Sequence, residues 1–152
     1  MRLRDRGGFT LAELVMVCAL LAILAAVVVP TARFVLKRER ETDLRLALRQ
    51  MRNAIDEYKR LSDQGMIQVQ LGTEGYPKEL DDLWKGVAIV GQTTKKKFLR
   101  RIPIDPMTGK AEWGLRSYQD DPDSTSWGGE NVYDVYSLSV ATALDGTKYK
   151  DW

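Results

Sequence analysis

Leu14 through Val29 is sixteen consecutive apolar residues, and a lone carboxylate, Glu13, stands immediately before it. Counted from Phe9, the stretch is twenty-one residues. As a helix it is about 31 Å long at 1.5 Å per residue, enough to cross a hydrocarbon core. Arg2, Arg4 and Arg6 precede it, and Arg33, Lys37, Arg38 and Arg40 follow. With cations on both sides, the charge bias does not set an orientation. A cleaved secretory signal expects a small-residue site after the run, but the run ends in Val27-Val28-Val29-Pro30. A buried core helix is shorter and amphipathic, whereas this one is apolar all round. Glu13 is costly in such a setting, by roughly 2.5–3.5 kcal/mol on insertion scales, so it calls for a partner. The plain alternative is that Glu13 lies near the helix end and reaches the headgroups.

Composition narrows the chemistry. The 152 residues contain no histidine and one cysteine, Cys18. That excludes histidine-based triads and bases, an internal disulfide, a four-cysteine zinc site and a CxxC redox pair. Cys18 lies within the apolar run and reads as a small packed hydrophobe. The 23 basic and 21 acidic residues are too balanced for a nucleic-acid binder.

Beyond Pro30, which should kink or break the helix, a second pattern begins. Leu44, Ala47, Leu48, Met51, Ala54, Ile55, Tyr58 and Leu61 recur at helical spacing. Arg45, Arg49, Arg52, Asp56, Glu57, Lys59 and Arg60 cover the other face. Gly65 is a stop signal. The division is 1–8 as a short basic head, 9–30 as an apolar helix, 31–63 as an amphipathic helix and 64–152 as a β-rich globular region. The amphipathic stripe needs a surface to pack on, and 64–152 supplies it. A coiled coil is the alternative, but two to three heptads are short for one.

Within 64–152, Tyr76-Pro77 precedes a short helix at Leu80, Leu83 and Trp84. Ile102-Pro103-Ile104-Asp105-Pro106 reads as extended chain and turn. Ala111–Tyr118 and Val132–Leu138 read as strands, with a polar loop from Gln119 to Glu130 between them. The class expected is α+β: a long amino-terminal helix packed on a small antiparallel sheet. The basic run Lys95–Arg101 reads as a solvated edge or a contact between subunits.

Gly8-Phe9-Thr10-Leu11-Ala12-Glu13, with a basic leader before it and an apolar run to Pro30 after it, resembles the leader of type IV prepilins and of the pseudopilins of type II secretion. Tyr76-Pro77, Phe98-Leu99-Arg100-Arg101-Ile102-Pro103, Asp105-Pro106, Val135–Ser139, Asp145-Gly146 and Asp151-Trp152 are most similar to the major pseudopilin. The resemblance implies a type IV pilin-like fold and cleavage between Gly8 and Phe9 by a prepilin peptidase, with methylation of the new Phe9 amine. It also supplies a partner for Glu13: the cationic Phe9 amine of a neighbouring subunit in a fibre. Removal of the leader leaves 20 basic and 20 acidic side chains. The family's terminal loop binds calcium, which here implies Asp145, Asp151 and the Leu138 carbonyl as ligands. Calcium seeks six to eight oxygens, and this loop is shorter than the family's. A turn stabilised by Asp145-Gly146 without metal is the other reading. The loop Asp120–Asp123 is a weaker metal candidate.

The implied role is a structural subunit, not an enzyme. It waits in the bacterial inner membrane with its carboxy-terminal domain in the periplasm, then stacks head-to-tail into a fibre that helps export folded proteins. The implied partners are copies of itself, minor pseudopilins, the prepilin peptidase, an inner-membrane platform protein and a secretion ATPase. A type IV pilin for adhesion, motility or DNA uptake is the alternative. Many such pilins close a disulfide loop, which one cysteine does not allow. A membrane-anchored enzyme has only Asp105, Asp134 and Asp145 to draw on, and no spacing rule joins them. A membrane-anchored binding module that never polymerises is the remaining class.

Overall fold

The computed structural model describes residues 8–122 and 124–152. Helix α1 spans Leu11–Asp63, and the chain divides into two compact units, Met1–Arg38 and Glu39–Trp152. Each is described by itself.

In the first unit, every described residue from Gly8 to Leu36 is exposed. Helix α1, which begins at Leu11, is long and apolar enough to cross a membrane. An apolar surface of this length is unstable in water and is stable only against lipid or other apolar helices. Pro30 does not break α1. Beside it, the Thr31 hydroxyl donates to the Val27 carbonyl at 2.9 Å, adding a bond where proline weakens the ladder.

In the second unit, Leu44, Ala47, Leu48, Met51, Ala54, Ile55, Tyr58 and Leu61 are all buried. They pack with Ile67, Leu83, Leu99, Trp113, Val132 and Val135. This burial, not helix propensity, holds the polar half of α1 in helical form. The helix stops at Gly65, whose φ of 71° lets Gly65 N–H reach the Ser62 carbonyl at 2.9 Å and Met66 N–H the Leu61 carbonyl at 3.0 Å.

The rest of the unit is loop-rich, with α2 at Asp82–Lys85. Strands β1 (Val87–Ala88) and β2 (Lys95–Lys96) form one antiparallel pair. Strands β3 (Gly114–Arg116) and β4 (Asp134–Tyr136) form another. The architecture is therefore α+β, but the single sheet expected is two separate pairs. Both expected strands are also shorter. Val132 N–H leaves the ladder for the Pro77 carbonyl at 2.8 Å, and the Ser137 hydroxyl turns to Asp105 at 2.6 Å.

Gly114 faces Tyr136 in the β3–β4 register. A Cβ at Gly114 would lie 2.2 Å from the Tyr136 ring, inside any contact distance. The Arg116 guanidinium lies over this ring, 4.5 Å from its centroid, and the Tyr136 hydroxyl donates to the Thr125 carbonyl at 3.3 Å. Gly114→Ala is expected to destabilise the protein by about 1–3 kcal/mol, the usual cost of overpacking. Urea unfolding followed by circular dichroism checks this.

Candidate functional site

Phe9 and Gly8 lie outside the helix, which begins at Leu11. The bond between them is thus in exposed, non-helical chain, as a peptidase requires. Phe9 is 80% exposed. A Cβ at Gly8 would meet nothing within 4 Å, and its backbone is not in the left-handed region. This chain's own folding therefore gives no reason for glycine at position 8. A narrow subsite on a processing enzyme would give one. Residues 1–7, the rest of the expected leader, lie outside the described residues.

The start of α1 has a feature the sequence reading missed. The Thr10 hydroxyl accepts the Glu13 backbone N–H at 3.2 Å, and the Leu14 N–H bonds the Thr10 carbonyl at 3.1 Å. Thr10 is thus the N-cap, with Glu13 in the first turn. The Thr-x-x-Glu spacing is a capping signal legible in the sequence. It gives Glu13 a second role: its charge also suits the positive end of the helix dipole. The carboxylate itself has no hydrogen-bond or ion-pair partner among the described residues. Cys18 is exposed on the same apolar helix.

Residues 3–29 match the family model of the prokaryotic N-terminal methylation motif. The amino terminus is prepilin-type. No curated protein and no solved structure matches the chain. The motif indicates a subunit of the type IV pilin or pseudopilin type. It implies processing by a prepilin peptidase and fibre assembly with membrane machinery. It also fits anchoring of a carboxy-terminal domain to a membrane through the apolar helix.

The residues implied for calcium lie at the other end of the chain. Asp145 and Asp151 line one cavity of about 620 Å³, and Leu138 is not among its lining residues. Arg116, Lys148 and Lys150 share that lining. Asp145 Oδ1 accepts the Thr147 amide at 2.9 Å and the Thr147 hydroxyl at 2.6 Å, while its Oδ2 faces Arg45 at 3.6 Å. The Thr147 hydroxyl and amide hold the Asp145 carboxyl below the usual carboxylate range. Among the described residues, no three His, Cys, Asp or Glu side chains gather as a metal site. Two carboxylates, one already engaged, beside three cations do not fit a divalent ion that seeks six to eight oxygens. In the acidic loop, Asp120 Oδ2 accepts the Ser117 amide at 2.7 Å and the Gly128 amide at 3.1 Å, so it pins the loop. Asp123 lies outside the described residues.

Three charged residues on α1 organise the carboxy-terminal segment, and none was singled out from the sequence. Glu41 is buried and accepts the Tyr149 hydroxyl at 2.9 Å and the Leu144 amide at 2.8 Å. Arg52 forks onto Asp134 at 2.7 and 3.2 Å and reaches the Trp152 main-chain oxygen at 2.6 Å. Arg45 stacks over the Trp152 ring, 4.3 Å from its centroid. Glu41 lies three residues before Leu44 and seven before Leu48, in line with the apolar stripe. A carboxylate in that register is the signal that a buried donor awaits it.

Of the other candidates, Asp105 sits in a turn. It is fully buried, and its Oδ1 accepts the Met107 amide at 2.7 Å. In the basic run, Lys96 pairs with Glu57 at 2.7 Å, whereas Lys95 and Lys97 are exposed.

Proposed function

We propose that the chain is the major structural subunit of a type II secretion pseudopilus, and that it acts by polymerising rather than by catalysis. The observation that carries a polymerising role is Glu13: a carboxylate with no partner among the described residues, beside sixteen apolar residues, on a stretch of α1 that is exposed from Leu11 to Leu36. Such a surface seeks lipid before assembly and neighbouring helices after it. A carboxylate within it seeks a cation, and cleavage after Gly8 creates one at the Phe9 amine. Head-to-tail stacking gives every Glu13 the same partner on the next subunit, and an interface of that kind propagates as a filament. The inner-membrane platform protein and secretion ATPase would drive addition, minor pseudopilins would cap or start the fibre, and the domain would work in the periplasm. A type IV pilin is the second reading, and the lone Cys18 favours the pseudopilus because it permits no disulfide loop.

Intact mass spectrometry of the protein from membranes, with and without co-expressed prepilin peptidase, tests the processing step. A peptidase-dependent species that begins at Phe9 and carries one added methyl group is expected. A full-length chain, or one cut after Val29, would overturn the reading. Deletion of the gene then separates the two fibres: loss of exoprotein export supports the pseudopilus, and loss of surface adhesion or motility supports a pilus.

A further inference from the structure

The carboxy-terminal loop contains a closed ring of contacts. Arg45 faces the Asp145 carboxylate at 3.6 Å. Asp145 accepts the Thr147 hydroxyl at 2.6 Å. The same hydroxyl accepts the Trp152 indole N–H at 2.6 Å. The Trp152 ring then carries the Arg45 guanidinium on its face, which completes the circuit. We propose that the Arg45 guanidinium takes the place of a metal ion in this chain, so that its carboxy-terminal loop closes without calcium.

The balance of donors and acceptors supports this. A hydroxyl can donate once while accepting, and Thr147 does both within the ring. The Asp145 charge is met on one side by the Thr147 donors and on the other by a fixed cation. A guanidinium is always charged and planar, so it serves a carboxylate and an aromatic face together. The backbone closes independently of any ion. Ala143 N–H bonds the Thr147 carbonyl at 2.8 Å, Thr142 bridges Lys148, and Gly146 turns with φ 88°. A divalent cation entering the cavity would meet Arg116, Lys148 and Lys150 along its wall, and their repulsion opposes it. Arg45 also comes from α1, so the ring ties the end of the chain to the helix that carries the core. A loop closed by a covalently attached cation would hold whatever the calcium level around it.

The test is read on the detergent-solubilised full chain as a monomer, so its outcome is separate from that of the fibre reading. Tryptophan is isotope-labelled, and the Trp152 indole N–H resonance is assigned with Trp152→Phe. In the wild type, that resonance and the melting temperature are expected to be the same in excess calcium and in chelator. Arg45→Gln is expected to move the resonance and lower the melting temperature by about 3 °C, the scale of one exposed ion pair with ring contact. Arg45→Lys keeps the charge but not the planar stack, and should fall between them. Asp145→Asn should move the same resonance. A calcium-dependent shift of the wild-type Trp152 signal, or a rise in its melting temperature with calcium, would overturn the proposal. So would an Arg45→Gln protein indistinguishable from wild type on both readouts.

Discussion

Glu13→Gln is expected to abolish fibre formation while the protein still folds and enters the membrane. The two outcomes separate because Glu13 does different things in the two states. In the monomer it is exposed, and its carboxylate has no partner among the described residues, so the core at Leu44, Met51 and Ile55 does not depend on it. The Thr10 cap survives too, since it uses the Glu13 backbone N–H and not the side chain. In a fibre the same carboxylate would lie among apolar helices opposite the Phe9 amine of the next subunit. Removing one member of a buried ion pair strands the other and costs about 3–5 kcal/mol. At about 1.4 kcal/mol per factor of ten, each contact weakens by roughly a hundredfold to several thousandfold. Every subunit addition repeats the loss, so no fibre of useful length survives. Electron microscopy of sheared fibres and crosslinking in membranes read assembly, and circular dichroism melting reads the fold. Glu13→Asp keeps the charge on a shorter arm and should recover part of the assembly. Normal fibres from Glu13→Gln would remove the register role and leave Glu13 as a helix-terminal residue only.

The parts of this fold legible in the sequence are those set by neighbours a few residues away. All eight residues of the stripe from Leu44 to Leu61 are buried, because helical periodicity and burial on one face are the same constraint. Gly65 reads as a helix stop because its left-handed backbone is a local demand. Asp105-Pro106 reads as a turn, and Asp105 does accept the amide two residues on. The second half of its role, the Ser137 hydroxyl at 2.6 Å, comes from 32 residues away and leaves no local trace. The two sheets were harder still. Strands of two or three residues are too short for alternation to define them, and their limits are set by where long-range bonds pull the backbone aside. At the amino terminus the methylation motif over residues 3–29 is legible because it is a linear signal, and under the proposed function an outside enzyme and a neighbouring subunit would read Gly8, Phe9 and Glu13 in the same way. Arg45 and Arg52 were not. A helix shows arginine on its polar face whether it meets solvent or a folded-back carboxy-terminal segment, and only the tertiary structure tells the two apart.

Glu41→Ala should be the most damaging single change outside the apolar core. The carboxylate is buried and satisfies two donors at once, the Tyr149 hydroxyl and the Leu144 amide. Truncation leaves both without an acceptor; the buried Tyr149 hydroxyl costs about 1–3 kcal/mol, and the amide of the more exposed Leu144 adds less because water can reach it. A loss of about 3 kcal/mol is expected in urea unfolding, with the segment 141–152 the first to become sensitive to protease. Glu41→Gln keeps an acceptor oxygen and should lose less. Tyr149→Phe removes one donor together with its need for an acceptor, so it should cost the least of the three. The same pair sets an alkaline limit. Burial, then the Glu41 carboxylate beside it, pushes the Tyr149 hydroxyl up to about 12 from an ordinary value of 10.0. The folded protein therefore keeps this proton where the unfolded chain has lost it. The contribution of Tyr149 to stability is whole below about pH 10, the ordinary tyrosine value, and declines as the pH rises from there towards 12. Wild-type stability should fall across that alkaline interval, and Tyr149→Phe should fall less steeply there while matching the wild-type slope at lower pH. Equal slopes for the two proteins above pH 10 would mean that Tyr149 ionises no harder in the fold than outside it, and the Glu41 contact would then be too weak to anchor the carboxy-terminal segment to α1.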